Sequence, residues 1–152
     1  MSDSIVEIYN LLYRYVDAID TARFDDAATL FDHGAVVAGG ERIEGRQAIA
    51  ALWRSWVRLY PDGMPHTRHL VTNPLVELDD DDGARARCHS QWTLLQATAG
   101  FPLQVVATGR YDDRFIRVDG QWHFAERIYL GVDLVGDTSA HMLLPLGGNQ
   151  NG

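Results

Sequence analysis

The stretch Gly109–Leu130, GRYDDRFIRVDGQWHFAERIYL, decides the fold. Two runs rich in aromatic and β-branched residues meet at Asp119-Gly120, a pair that tolerates the positive φ both central positions of a two-residue hairpin demand. The flanking segments, Leu103 to Val118 and Gln121 to Asp133, therefore read as antiparallel strands. Side chains alternate across a strand, so Val105, Ala107, Gly109 and Tyr111 share one face of the first. In the second, Trp122, Phe124, Glu126 and Ile128 alternate with Gln121, His123, Ala125 and Arg127.

Working backwards, Ala84 to Thr98 and His69 to Leu78 read as two more strands, separated by Asp79-Asp80-Asp81-Asp82-Gly83. That acidic run reads as a solvated hairpin tip, because a calcium loop needs alternating ligands and a distant Glu. One face of the Ala84 strand carries Ala84, Ala86, Cys88, Ser90, Trp92 and Leu94, and is expected to point inward. The first half of the chain has helical spacing instead. Ile5, Ile8, Leu11, Leu12, Tyr15, Val16 and Ile19 form one face, with Ser4 and Glu7 as a capping box at its start. A second helix is expected from Phe24 to Phe31, followed by short strands at Ala35 to Ala38 and Glu41 to Glu44. A third helix begins near Gly45 and is ended by Pro61-Asp62-Gly63. Helices first and antiparallel strands afterwards predict an α+β domain, with helices covering one face of a curved sheet. The domain is expected over residues 1–135, with a tail over 136–152 whose end, LGGNQNG, reads as frayed.

With 152 residues and 46% hydrophobic content, the chain fits one domain with its own core. Thirteen basic against 21 acidic residues give a net charge of -8, which repels phosphate backbones and anionic membranes. Neither nucleic acid nor a membrane is an expected partner. The single cysteine, Cys88, allows no internal disulfide and no cysteine-based zinc site, which fits a cytoplasmic location. The N-terminus lacks a signal peptide's pattern, and no apolar run reaches the roughly 20 residues that span a bilayer.

Small residues beside large aromatics on inward faces leave room for an apolar cavity, although a well-packed core gives the same alternation. The chemistry available to such a cavity centres on YRYVDAID, Tyr13–Asp20, and on HTRHLVTNPLVEL, which begins at His66. His66 and His69 stand three apart on an extended segment and so face opposite ways, and no third ligand has a useful spacing, so no metal and no cofactor is expected. One histidine suffices for proton transfer if a carboxylate fixes its tautomer. Asp20 can supply that carboxylate, and Tyr15, five positions earlier on the helix, a phenolic donor. The structural alternatives are an Asp20 that caps the second helix, a Tyr15 that only packs, and a His69 hydrogen-bonded at a strand start.

Four segments carry a resemblance across nearly the whole chain, to about Val132. They are YRYVDAIDTARFDDAATLF, GRQAIAALW, HLVTNPLVEL and GRYDDRFIRVDGQWHFAERIYL, and their order and spacing resemble the SnoaL-like branch of the NTF2-like superfamily. The resemblance implies a cone of three helices wrapped by a strongly bent mixed sheet around one deep pocket. Within that branch the sequence is similar to the scytalone dehydratase and bile acid 7α-dehydratase families. Those families place a catalytic Asp at the end of the first helix and a catalytic His at the start of the first long strand, which fall on Asp20 and His69. The bile acid family's catalytic Tyr, five residues before its Asp, falls on Tyr15, and its DGQW pattern recurs at Asp119–Trp122. The second histidine of scytalone dehydratases is absent, since Leu94 occupies its place and His89 has outward parity.

These readings lead to a cofactor-independent dehydration or proton-transfer isomerisation of a small, hydrophobic cyclic ketone or enone of polyketide or steroid type. Tyr15, Asp20 and His69 are the expected catalytic residues. Trp53, Trp56, Trp92, Leu94, Tyr111 and Phe124 are the expected walls, with core packing as the alternative for each. Two other readings fit the same fold: a ketosteroid-isomerase-like or polyketide-cyclase-like enzyme with a carboxylate base, and a non-catalytic small subunit or ligand-binding module. Apolar residues in the final strands and in HMLLPL lead to a homo-oligomer, dimer or trimer, as the expected assembly.

Overall fold

The computed structural model describes residues 2–79, 81 and 83–144. Among the described residues three helices, α1 (Ser2–Asp20), α2 (Phe24–Thr29) and α3 (Arg46–Trp56), accompany six strands. The strands are β1 (Ala35–Ala38), β2 (Glu41–Glu44), β3 (Thr67–Leu78), β4 (Arg85–Thr98), β5 (Phe101–Val118) and β6 (Gln121–Val135). They form one open sheet in the order β2-β1-β6-β5-β4-β3. Among the described residues only the β1–β6 pair is parallel, so the sheet is mixed and mostly antiparallel, as expected. The Asp119-Gly120 turn has φ of 50° and 78°, the left-handed pair that a type I′ hairpin requires. No described helix is long and apolar enough to cross a membrane.

Helix α1 begins at Ser2, ahead of the expected capping box, so Ser4 is a helical residue rather than a cap. Its C-terminus is a Schellman motif. Ala22 takes φ 57°, its N–H donates to the Ile19 carbonyl at 3.1 Å, and the Arg23 N–H donates to Ala18 at 2.8 Å. Helix α3 stops at Trp56, short of the Pro61 turn, because Val57 turns extended and bridges Met142.

The core lies between the helices and the inner sheet face, and includes Ile8, Leu12, Ile49, Trp53, Cys88, Phe115 and Phe124. Bulges bend the sheet, and each also reverses which residues point inward beyond it. In β5 the register slips at Val106, so Val106 and Ala107 are both buried while Val105, expected inside, is half exposed. In β6, Arg114 pairs with Glu126 but Phe115 pairs with Phe124, which leaves Ala125 as the extra residue. Trp122 and Phe124 point inward before this bulge; Arg127 and Tyr129 point inward after it, in place of the expected Glu126 and Ile128. Gly34 abuts the bulge so closely that a Cβ there would lie 2.2 Å from the Ala125 carbonyl oxygen.

Candidate active site

Asp20 is the last residue of α1, where the helix dipole disfavours a negative charge. Three donors from β3 offset that cost. Thr67 Oγ1 donates to Asp20 Oδ1 at 2.8 Å, the His69 backbone N–H donates to Oδ2 at 2.7 Å, and His69 Nδ1 lies 2.6 Å from Oδ1. Burial pushes the Asp20 carboxyl up, but the hydrogen bonds and charge of His69, with Thr67, outweigh it and hold the group below its ordinary value. An ionised carboxylate only accepts, so Nδ1 carries a proton, and in the neutral imidazole the lone pair is that of Nε2 on a ring that lines the cavity. Asp20 does not cap α2, whose N-cap is Arg23 without a side-chain bond.

The cavity, of about 330 Å³, opens between α1, α3 and the inner sheet face. Its walls include Trp53, Trp56, Trp92, Leu94 and Tyr111, all five expected there from sequence. Phe124 stands apart from it, fully buried between Phe31 and Phe115 at ring distances of 4.7 and 4.8 Å. Leu94 pairs directly with His69 across β3 and β4, so an aliphatic group faces the imidazole from the neighbouring strand. His89 points away, with half its side chain exposed beside Asp112. His66 pairs with Asp62 and not with His69. Among the described residues no group of three or more His, Cys, Asp or Glu could hold a metal ion.

Tyr15 is buried, and its hydroxyl lies 2.6 Å from that of Tyr129. The Trp53 indole, which can only donate, reaches the same Tyr129 oxygen at 2.9 Å. Whichever phenol donates to the other, one phenolic proton is left without an acceptor among the described residues, and both tyrosines line the cavity. Burial raises the pKa of Tyr15 and raises that of Tyr129 well above its ordinary value, so both stay neutral donors. Beneath them Arg127 is fully buried, its guanidinium 4.3 Å from the Tyr15 ring centre and 3.7 Å from that of Tyr111. It forms a two-pronged ion pair with the equally buried Asp113, at 2.8 Å through both prongs.

Sequence reasoning missed Asp113, Arg127, Tyr129 and His141. Asp113 was detectable, because it shares inward parity with Tyr111 and Phe115 and a buried acid needs a cation. Arg127 and Tyr129 were hidden by the bulge at Ala125. His141 belongs to an irregular segment, 136–142, which folds back so that Thr138, His141 and Met142 complete the cavity lining.

The family model for the SnoaL-like domain matches residues 1–128. An uncharacterised protein of Mycobacterium tuberculosis, Rv2910c, is 33% identical over 129 residues, 81% of this chain and 82% of that protein. A protein of unknown function with a cystatin-like fold from Nostoc punctiforme superposes with a TM-score of 0.70 at 17% identity, over 88% of this chain and 93% of that one. A provisionally named scytalone dehydratase from Novosphingobium aromaticivorans superposes with a TM-score of 0.67 at 23% identity, over 90% and 91%. An NTF2-like protein with a cystatin-like fold, also from Novosphingobium aromaticivorans, superposes with a TM-score of 0.65 at 20% identity, over 84% of this chain and 80% of that one, so the fold is NTF2-like, with the helices packed on an open, curved sheet. With a single family model spanning most of its length, the chain belongs to the SnoaL-like domain family.

Proposed function

We propose that the protein is a cofactor-independent lyase or isomerase that moves a proton on a small cyclic ketone or enone. The observation that supports this reading is the Asp20–His69 contact, which engages Nδ1 of an imidazole lining the same apolar cavity as the Tyr15–Tyr129 pair. A cavity of about 330 Å³ stands at the small end of ligand sites, which run from about 300 to 1,000 Å³, and its indole and phenol walls suit a flat fused-ring compound.

In this mechanism His69 Nε2 takes a proton from the carbon α or γ to the carbonyl. The C–H electrons move into the new double bond, and the carbonyl oxygen takes up the charge. The uncommitted phenolic proton of the Tyr15–Tyr129 pair hydrogen-bonds that oxygen as it becomes an enolate. Asp20 stabilises the imidazolium through Nδ1–H. In a dehydration the enolate then re-forms the carbonyl and expels the β-hydroxyl, which leaves as water with the proton held on His69. In an isomerisation His69 returns that proton to another carbon of the conjugated system.

A panel of cyclic β-hydroxyketones and enones tests this reading. The expected result is a conjugated or transposed product, seen by ultraviolet absorption and by mass, from at least one member with wild-type protein and not with His69→Ala. Turnover undiminished in His69→Ala would overturn it and would favour a carboxylate base.

A further inference from the structure

Residues 136–142 have no secondary-structure periodicity, yet they are fastened across the cavity at many points. Gly136 N–H donates to the Val106 carbonyl at 2.8 Å, and Arg58 N–H to the His141 carbonyl at 2.9 Å. Gln96, itself 1% exposed, donates to the Ala140 carbonyl at 3.0 Å, and the Tyr60 hydroxyl donates to the same oxygen. The His141 N–H closes a turn on Thr138 at 3.0 Å.

The outcome is one imidazole held at 9% exposure against the cavity that His69 also lines. Its Nδ1 is buried with no partner among the described residues. Burial, reinforced by the nearby His69, lowers the His141 pKa to about 4, so the ring is neutral at neutral pH and carries one proton. A buried N–H without an acceptor is rarer and more costly than a buried lone pair without a donor. The proton therefore belongs on Nε2.

We propose that His141 is a substrate-contacting residue whose imidazole Nε2–H hydrogen-bonds a second oxygen of the ligand, apart from the carbonyl held by the Tyr15–Tyr129 pair. The inference rests on the functional reading above and narrows it. The preferred ligand is a fused-ring compound with two oxygens, such as a β-hydroxyketone or a hydroxyenone, rather than a simple cyclic ketone. His141 keeps its proton throughout and serves as a neutral donor that orients the ring against His69.

The test uses flat phenols as stable mimics of the enolate. Binding of β-naphthol and of the dihydroxynaphthalenes is followed by quenching of the cavity tryptophans, with full-length wild-type, His141→Phe and His141→Gln proteins matched by circular dichroism. At least one dihydroxynaphthalene should bind wild type about tenfold more tightly than β-naphthol, the gain from one hydrogen bond. His141→Phe should remove that preference while leaving β-naphthol affinity within about twofold, and His141→Gln, which retains a donor, should keep part of it. A merely structural histidine would change both affinities together. Equal wild-type affinities, an undiminished preference in His141→Phe, or parallel losses for both probes would overturn the proposal and leave the His69 reading intact. Wild type binding neither phenol would overturn the ligand class itself.

Discussion

Asp20 holds His69 twice, through the ring at 2.6 Å and through the backbone N–H at 2.7 Å, so one carboxylate fixes both the strand and the imidazole it carries. Asp20→Asn presents an amide that can accept through only one atom and sets the wrong tautomer on His69. Turnover should fall by a factor of about 10² to 10⁴, and stability at neutral pH by about 1–3 kcal/mol. The sign of the pH effect follows from the lowered Asp20 pKa. A carboxyl depressed on folding stabilises the protein above its unfolded value, and that contribution is lost as pH falls through the folded one. Denaturant titrations should therefore show the gap between wild type and Asp20→Asn narrowing below the ordinary value of 3.8.

Arg127 and Asp113 form a fully buried pair, and removing one partner strands the other's charge. Arg127→Met or Asp113→Leu alone should cost about 3–5 kcal/mol in urea unfolding. The double variant should recover most of that loss, because an apolar pair carries no desolvation cost. Equal and additive losses would show that the charge pair is not the stabilising unit.

His141 adds a pH dependence of its own. Its pKa is about 4 in the folded protein against an ordinary 6.5, so between those values the unfolded chain takes up a proton that the folded one does not. Stability should decline as pH falls through that window, by up to about 3 kcal/mol. Asp20 opposes the shift and His69 reinforces it, so both contribute to the slope. His141→Phe should flatten the thermal-midpoint profile between pH 4 and 6.5.

How much of this was legible in the sequence depended on whether a local period survived. The Asp119-Gly120 hairpin, the inward face of α1 and the Ala86-to-Leu94 face of β4 all follow from unbroken periodicity, and the structure has them. Tyr15 and His69 line the cavity and Asp20 bonds His69 from behind it, because the end of a helix and the start of a strand are positions a pattern can locate. The second tyrosine and the buried arginine were not legible, since one extra residue at Ala125 reverses the parity of everything after it. Val105 was misplaced for the same reason at Val106. His141 lies in a segment whose course is set by single hydrogen bonds to Gln96, Arg58 and Tyr60, and no residue pattern encodes those.

Strands β5 and β6 carry exposed Leu103, Val105, Leu130, Leu134 and Val135, and a homo-oligomer that covers them is the expected assembly. Light scattering at micromolar concentration should return a dimer or trimer, and Leu134→Lys should shift it towards the monomer. A wild-type mass of 17.0 kDa across that range would contradict the expected assembly.

The central claim is that His69 is the base, and exchange of an α hydrogen with deuterated solvent tests it most directly because exchange needs no completed turnover. With a ketone or enone that wild type accepts, followed by proton NMR, exchange should be fast in wild type and slower by at least about 10² in His69→Ala, with the fold unchanged. Equal exchange rates in the two proteins would contradict the account, and would reduce the Asp20–His69 contact to a link between a helix end and a strand.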